Sequence, residues 1–253
     1  MFPSLFISHG APNTILKDSK TKINLQNLAK SLDKPKYILI ISAHWTTKNL
    51  EIISSNANKI MYDFYGFEEE LYNYKYKLSS NKEITNEVLE KLKDLNIYKS
   101  SKDSYDHGVW TILAMMYKKL DIPVINLSLP LNFTIQELFN LGKKLRVLKD
   151  EALLIFSGSI THNLLDIYPK YHANVKPYAY NFDKKIEELL KNGQIQTLLE
   201  FKNIENFNIN HPTIEHFLPL IIALGTTNDY KAQAFNEEFI YSNISMKSYI
   251  FKG

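Results

Sequence analysis

The chain has 253 residues, 45% hydrophobic and 23% charged, enough to bury one sizeable core without covalent staples. Its 30 Lys and Arg against 27 Asp and Glu leave a net charge of +3 with no basic block, which removes the electrostatic footprint of a nucleic-acid binder. There is no cysteine. Disulfides, zinc–thiolate sites, iron–sulfur clusters and Cys nucleophiles are therefore excluded, and a metal site must use His, Asp, Glu or backbone oxygen.

The opening, MFPSLFISHGAP, lacks a basic n-region, and its apolar run is too short for a signal peptide. No run approaches the ~20 apolar residues of a membrane span. A cytoplasmic protein with no membrane partner is expected. The first strand is expected over Pro3–Ser8, with His9 directly after it. A helical segment at 22–32 follows, then a second apolar strand, Tyr37–Ala43, which runs into His44. Leu50–Ser54 reads as a third strand. The tract LYNYKYKL at 71–78 interleaves aromatic and basic residues, and partial burial of its rings is the expected role.

Helical periodicity returns at 82–94 and 109–120. The second of these is preceded by YDHGVW, where Asp106 is a candidate N-cap beside His107. A strand at Pro123–Leu129 leads to a helix at 134–149, whose Thr134 and Glu137 have the spacing of a capping box. Ala152–Ser157 is the next buried strand and runs into small polar residues before His162. Helices are expected at 179–191 and 213–225, the latter starting around Pro212–Thr213 and ending at Gly225. His216 would lie in its first turns, and His211 would cap it. His172 reads as a surface-loop residue. The C-terminal EFIYSNISMKSYIF alternates and is expected to form an edge hairpin turning near Ser242–Asn243.

Strands alternating with helices imply a single α/β domain spanning 1–253, with a central, mainly parallel or mixed sheet flanked by helices. Ligands in such sheets gather beyond the carboxyl ends of the strands. His9, His44 and His162 all follow buried strands, so parallel strands would bring them to one edge. Singly, each fits a satisfied core or capping residue. Together they point to a His-built metal site, imidazole being a common metal ligand. Both readings stay open on pattern alone. Ser8 and Ser42 either terminate their strands or orient the neighbouring imidazoles.

Taken in order, LFISHGAP, ILIISAHW, YDFYGF, YDHGVW, PVINLSL, SGSITHNL and HPTIEHFLPL resemble the successive motifs of the DODA-type extradiol ring-cleavage dioxygenases, within the class III superfamily of protocatechuate 4,5-dioxygenase. The resemblance runs from residue 2 to about residue 249. It implies a mononuclear metal at the end of the sheet, with His9, His44 and His216 as ligands. It implies His162 as acid/base or fourth ligand and His107 in the substrate pocket. YDFYGF either supplies aromatic walls and an acid near that pocket, with Tyr62 and Asp63 as substrate-binding candidates, or is a packed loop entering the next helix. The wider superfamily uses two His and one Glu, the facial triad of non-haem Fe(II) oxygenases. Here Glu215 adjoins His216; on a helix the two would point apart, and the DODA pattern favours His216.

The implied activity is Fe(II)-dependent ring opening of a small catechol, DOPA-like, with O₂. Zn(II) is a possible occupant that could not activate dioxygen. Two other readings stand beside it: a zinc hydrolase using the same histidines, and a non-catalytic metal-binding protein of the same fold. Oligomeric state is not legible.

Overall fold

The structure, a computed structural model, describes residues 1–252. Its strands in chain order are β1 (Ser4–Ser8), β2 (Tyr37–Thr47), β3 (Glu51–Ile52), β4 (Lys59–Ile60), β5 (Tyr98–Lys99), β6 (Ser104–Tyr105), β7 (Val124–Pro130), β8 (Ala152–Gly158), β9 (Gln233–Phe235), β10 (Phe239–Ile240), β11 (Ile244–Ser245) and β12 (Ser248–Phe251). The α-helices are α1 (Lys20–Ser31), α2 (Glu69–Asn73), α3 (Lys82–Lys91), α4 (His107–Met116), α5 (Ile135–Leu145), α6 (Pro177–Asn192), α7 (Ile195–Leu199), α8 (Phe207–Asn210) and α9 (Leu218–Gly225).

Eight strands form one sheet in the order β5-β3-β7-β2-β8-β1-β12-β9. The central four, β7, β2, β8 and β1, are mutually parallel, whereas β12 pairs antiparallel with β1. The alternation of side chains along a strand splits the core in two. Phe6, Leu39, Ile41, Leu154 and Phe156 face a cluster completed by residues of α5, α6 and α9, among them Leu138, Ile186 and Leu220. Their neighbours Leu5, Ile7, Ile38, Ile40, Leu153 and Ile155 face the opposite cluster, with Leu25 of α1 and Val109, Trp110 and Leu113 of α4. Both faces are covered, which is why these strands carry no polar alternation.

The capping box at Thr134 and Glu137 is formed as expected. Three differences from the sequence reading bear on the site and the sheet. The strand before His44 continues through it to Thr47. The last long helix begins at Leu218, so Thr213–Phe217 is a turn, and Pro219 supplies the Pro of its first turn. The C-terminal hairpin does turn at Tyr241–Asn243, with Tyr241 and Ser242 at positive φ, but it is a separate buried pair, β10 with β11. The segment after it, β12, lies inside the sheet between β1 and β9, because Tyr249 and Phe251 have core to enter.

Candidate metal centre

Because β1, β2 and β8 are parallel, their carboxyl ends meet at one edge. His9 follows β1 there, its N–H donating to Gly158 O at 3.0 Å. In β2, pairing with β7 lapses after Ile41↔Leu127 and resumes at Thr46↔Leu129. This irregularity holds His44 inside the strand while its ring turns to the same edge. The chain after β8 carries Ser159, whose N–H donates to His216 O at 2.9 Å. A Cβ at Gly158 would lie 2.3 Å from that same carbonyl, so the turn bearing His216 seats on a bare backbone.

His44 Nε2 lies 3.1 Å from His9 Nε2 and 3.2 Å from His216 Nε2. The far side of each outer ring decides its tautomer. Ser157 Oγ donates its proton to Gly108 O at 2.6 Å, so toward His9 Nδ1, 2.9 Å away, it acts as acceptor. His216 Nδ1 faces the Glu215 carboxylate at 3.1 Å, which also only accepts. Both rings are thus Nδ1–H tautomers, each with its Nε2 lone pair aimed at His44. A single N–H on His44 cannot satisfy two acceptors, whereas a cation satisfies all three. Two nitrogens on one ion, with bonds of ~2.0–2.1 Å, sit about 3.0–3.4 Å apart, which matches both separations. The residues fit a bound metal ion.

The electrostatics agree. Burial, followed by repulsion from the neighbouring imidazoles, holds His9 and His216 well below the ordinary histidine range. Burial and then His107 lower His44 to about 3. The cluster is neutral near pH 7, with its lone pairs free.

His107 and His162 complete the constellation. His107 is the first residue of α4, and its ring lies against His44 with centroids 3.9 Å apart. Ligating atoms of His9, His44 and His107 all fall within 4.8 Å of one another. His162, half-buried, stacks on His216 at 3.5 Å and 8°. Burial is the main cause that lowers it to about 4; Glu215 opposes the shift and His107 adds to it.

Asp63 gives both oxygens to His107, Oδ1 accepting its backbone N–H at 2.9 Å and Oδ2 lying 3.0 Å from Nδ1. Burial raises the Asp63 carboxyl, and the bonds and charge of His107 outweigh that and leave it below the usual carboxylate range. The Tyr62 hydroxyl donates to Tyr74 O at 2.7 Å, and its ring packs edge-on against Trp110.

Several sequence expectations are corrected here. Asp106 occupies the N-cap position of α4 without capping it: its buried carboxylate takes the Ser42 hydroxyl at 2.6 Å. His211 does not cap the last helix. It is buried after α8, stacked on Phe207, with Nε2 2.8 Å from Ile160 O. Glu215 and His216 are not consecutive helix residues, which is why a side chain of one can reach the ring of the other. Ser8 bonds backbone, its Oγ donating to Lys247 O at 2.7 Å, whereas Ser42 Oγ accepts from His44 N. His172 is exposed.

Sequence reasoning missed Ser157 and did not single out Phe64 within its tract. Ser157 lies within a strand and carried no signal apart from the small polar run it begins. Phe64, inside YDFYGF, packs edge-on to His107 at 5.7 Å.

Residues 3–252 match the model of the catalytic LigB subunit of aromatic ring-opening dioxygenase. The chain belongs to this LigB family. It is similar to the 4,5-DOPA dioxygenase extradiol of Beta vulgaris, 36% identical over 98% of this chain and 96% of that one. It is 31% identical to the protein of the same name in Escherichia coli K12, over 88% of this chain and 84% of that one. A crystal structure of an uncharacterized Escherichia coli K12 protein superposes with a TM-score of 0.84 over the full length of both chains, at 25% identity. Membership makes this LigB-family protein an oxidoreductase that opens aromatic rings, and its fold is the single α/β domain described above. No described helix is long and apolar enough to cross a membrane.

Proposed function

We propose that the protein cleaves a catechol, of the DOPA class, beside its two hydroxyls with O₂, using a divalent ion held by His9, His44 and His216. One observation carries the metal: two preset Nε2 lone pairs converge on a third imidazole nitrogen at 3.1 and 3.2 Å. The family and the two DOPA dioxygenases it resembles carry the substrate class. When bound, Fe(II) supplies the redox chemistry with dioxygen that Zn(II) lacks.

The chain's own residues do the rest. His9, His44 and His216 would hold the ion through their Nε2 atoms. His162 stands beside His216, neutral at pH 7, and takes the proton of a catechol hydroxyl as general base; as its conjugate acid it returns that proton later in the cycle. Across the site His107 meets the substrate. Phe64 forms the wall behind it, with Tyr62 packed edge-on against Phe64 at 6.1 Å. Burial of His9, His107 and His216 keeps bulk water from that side.

A second ligand set, His9, His44 and His107, is favoured by the mutual proximity of their ring nitrogens. Single substitutions separate the two. His216→Ala is expected to lose the metal and His107→Ala to keep it, read by metal content after dialysis; the reverse outcome selects the second set. For the reaction, protein loaded anaerobically with Fe(II) is mixed with DOPA, protocatechuate and simple catechols. Oxygen uptake with a new visible chromophore is expected. Iron-replete protein that consumes no oxygen with any catechol sinks the proposal.

A further inference from the structure

His107 opens α4, so its backbone N–H is among those a helix leaves without an internal partner. The N-cap residue Asp106 does not serve it: a cap side chain reaches the next amides along, and Asp106 Oδ1 takes the Ser42 hydroxyl instead. Asp63 serves it instead from a distant loop, with one oxygen on that N–H and the other 3.0 Å from the ring nitrogen Nδ1. A carboxylate at a helix N-terminus is also favoured by the helix dipole. Among the described residues, buried Nδ1 makes no well-aligned hydrogen bond, and the Asp63 carboxylate 3.0 Å away is the acceptor it faces. A carboxylate offers only lone pairs, so the nitrogen facing it carries the hydrogen. Nε2 then keeps its lone pair on a ring packed against His44 and edge-on to His9.

We propose that Asp63 is a positioning residue rather than a substrate contact: it caps α4 and holds His107 as the Nδ1–H tautomer, so that Nε2 accepts a hydrogen bond from a catechol hydroxyl. The last clause rests on the catechol reading above; the tautomer does not. The same logic already sets His9 through Ser157 and His216 through Glu215. Asp63 differs in fixing the backbone of the residue it orients as well as the ring. Both of its oxygens face His107, one on the backbone N–H and one beside the ring.

Asp63→Asn tests this with little change of shape. The amide oxygen keeps the backbone N–H, so the NH₂ group turns to the ring and can only donate. His107 must then accept at Nδ1, and its proton moves to Nε2. Long-range ¹H–¹⁵N NMR of the zinc-loaded full chain, which is diamagnetic, reads the tautomer directly. The wild type should show Nδ1–H at His107. D63N should show Nε2–H, with a melting temperature within a few degrees of wild type. Loaded with Fe(II), D63N should lose kcat by about 10²-fold or more, the scale of a misplaced proton-transfer partner, with KM changed far less. An Nε2–H tautomer in the wild type, or no change of tautomer in D63N, overturns the proposal. A flipped tautomer with kcat intact overturns its catalytic half. Should D63N fail to fold, the wild-type spectrum alone decides. A wild type that turns over no catechol defeats the catechol reading, and the spectra still decide the role of Asp63.

Discussion

At the residue scale, each imidazole is set by what sits on the side away from the site. Ser157 donates its only O–H to Gly108 O in a hydrogen bond and so can only accept from His9. Ser157→Ala is expected to weaken Zn(II) binding about 10–100-fold, the usual cost of losing a partner that orients a ligand, measured by competition with a chelator. His211 shows the other fate of a buried histidine. Burial among Phe182, Phe207 and Phe217 is the main reason it falls to about 3 from an ordinary 6.5. The folded state thus prefers the neutral ring. Its contribution to stability is full above about pH 6.5 and is lost as pH falls from there toward about 3, at about 1.4 kcal/mol per unit. His211→Gln keeps a donor for Ile160 O and cannot titrate. Urea unfolding of that variant should lose about 2 kcal/mol less than wild type between pH 6.5 and 5. Equal losses would show that His211 is protonated without cost.

At the scale of elements, the decisive contacts are close backbone approaches. α5 and α9 cross where Gly142 meets Gly225: a Cβ at Gly142 would lie 1.9 Å from Ile222 O, and one at Gly225 would lie 2.1 Å from Phe139 O. Backbone on both sides leaves nothing flexible to give way. Gly142→Ala should therefore destabilise by at least about 1–3 kcal/mol despite the better helix propensity of Ala, seen as a lower urea midpoint. A midpoint at or above wild type would mean that the helices can separate freely. The turn before α9 repeats the device at Gly158, and there it serves the site by seating His216.

Across the whole molecule, the C-terminal segment closes the structure on itself. Lys247 is buried with Asp183 at 2.5 Å and Glu187 at 2.7 Å, both on α6, while its carbonyl takes the Ser8 hydroxyl one residue before His9. Burial raises the Asp183 carboxyl, and Lys247 opposes that rise. Asp183→Ala should cost about 3–5 kcal/mol, because it leaves a buried ammonium short of a partner. The loss should be nearly independent of salt, since a buried pair is poorly screened. A small loss that vanishes in 1 M salt would place this pair among ordinary surface contacts.

Much of this was legible in the sequence by itself. Uninterrupted apolar strands alternating with amphipathic helices specify a parallel sheet covered on both faces, and a parallel sheet sends the carboxyl ends of β1, β2 and β8 to one edge. His9, His44 and His162 could be grouped on that ground, because strand direction and side-chain period are local properties. The capping box at Thr134 and the turn at Tyr241–Asn243 are local too, and both were readable. The tertiary structure decided what local pattern does not encode. His216 reaches the site from a turn because its carbonyl is bonded to Ser159 and packed over Gly158. Ser157 and Asp63 act on histidines far from them in the chain. The tautomers of His9, His107 and His216 depend on which acceptors the folded chain places behind each ring, and only packing brings those acceptors there.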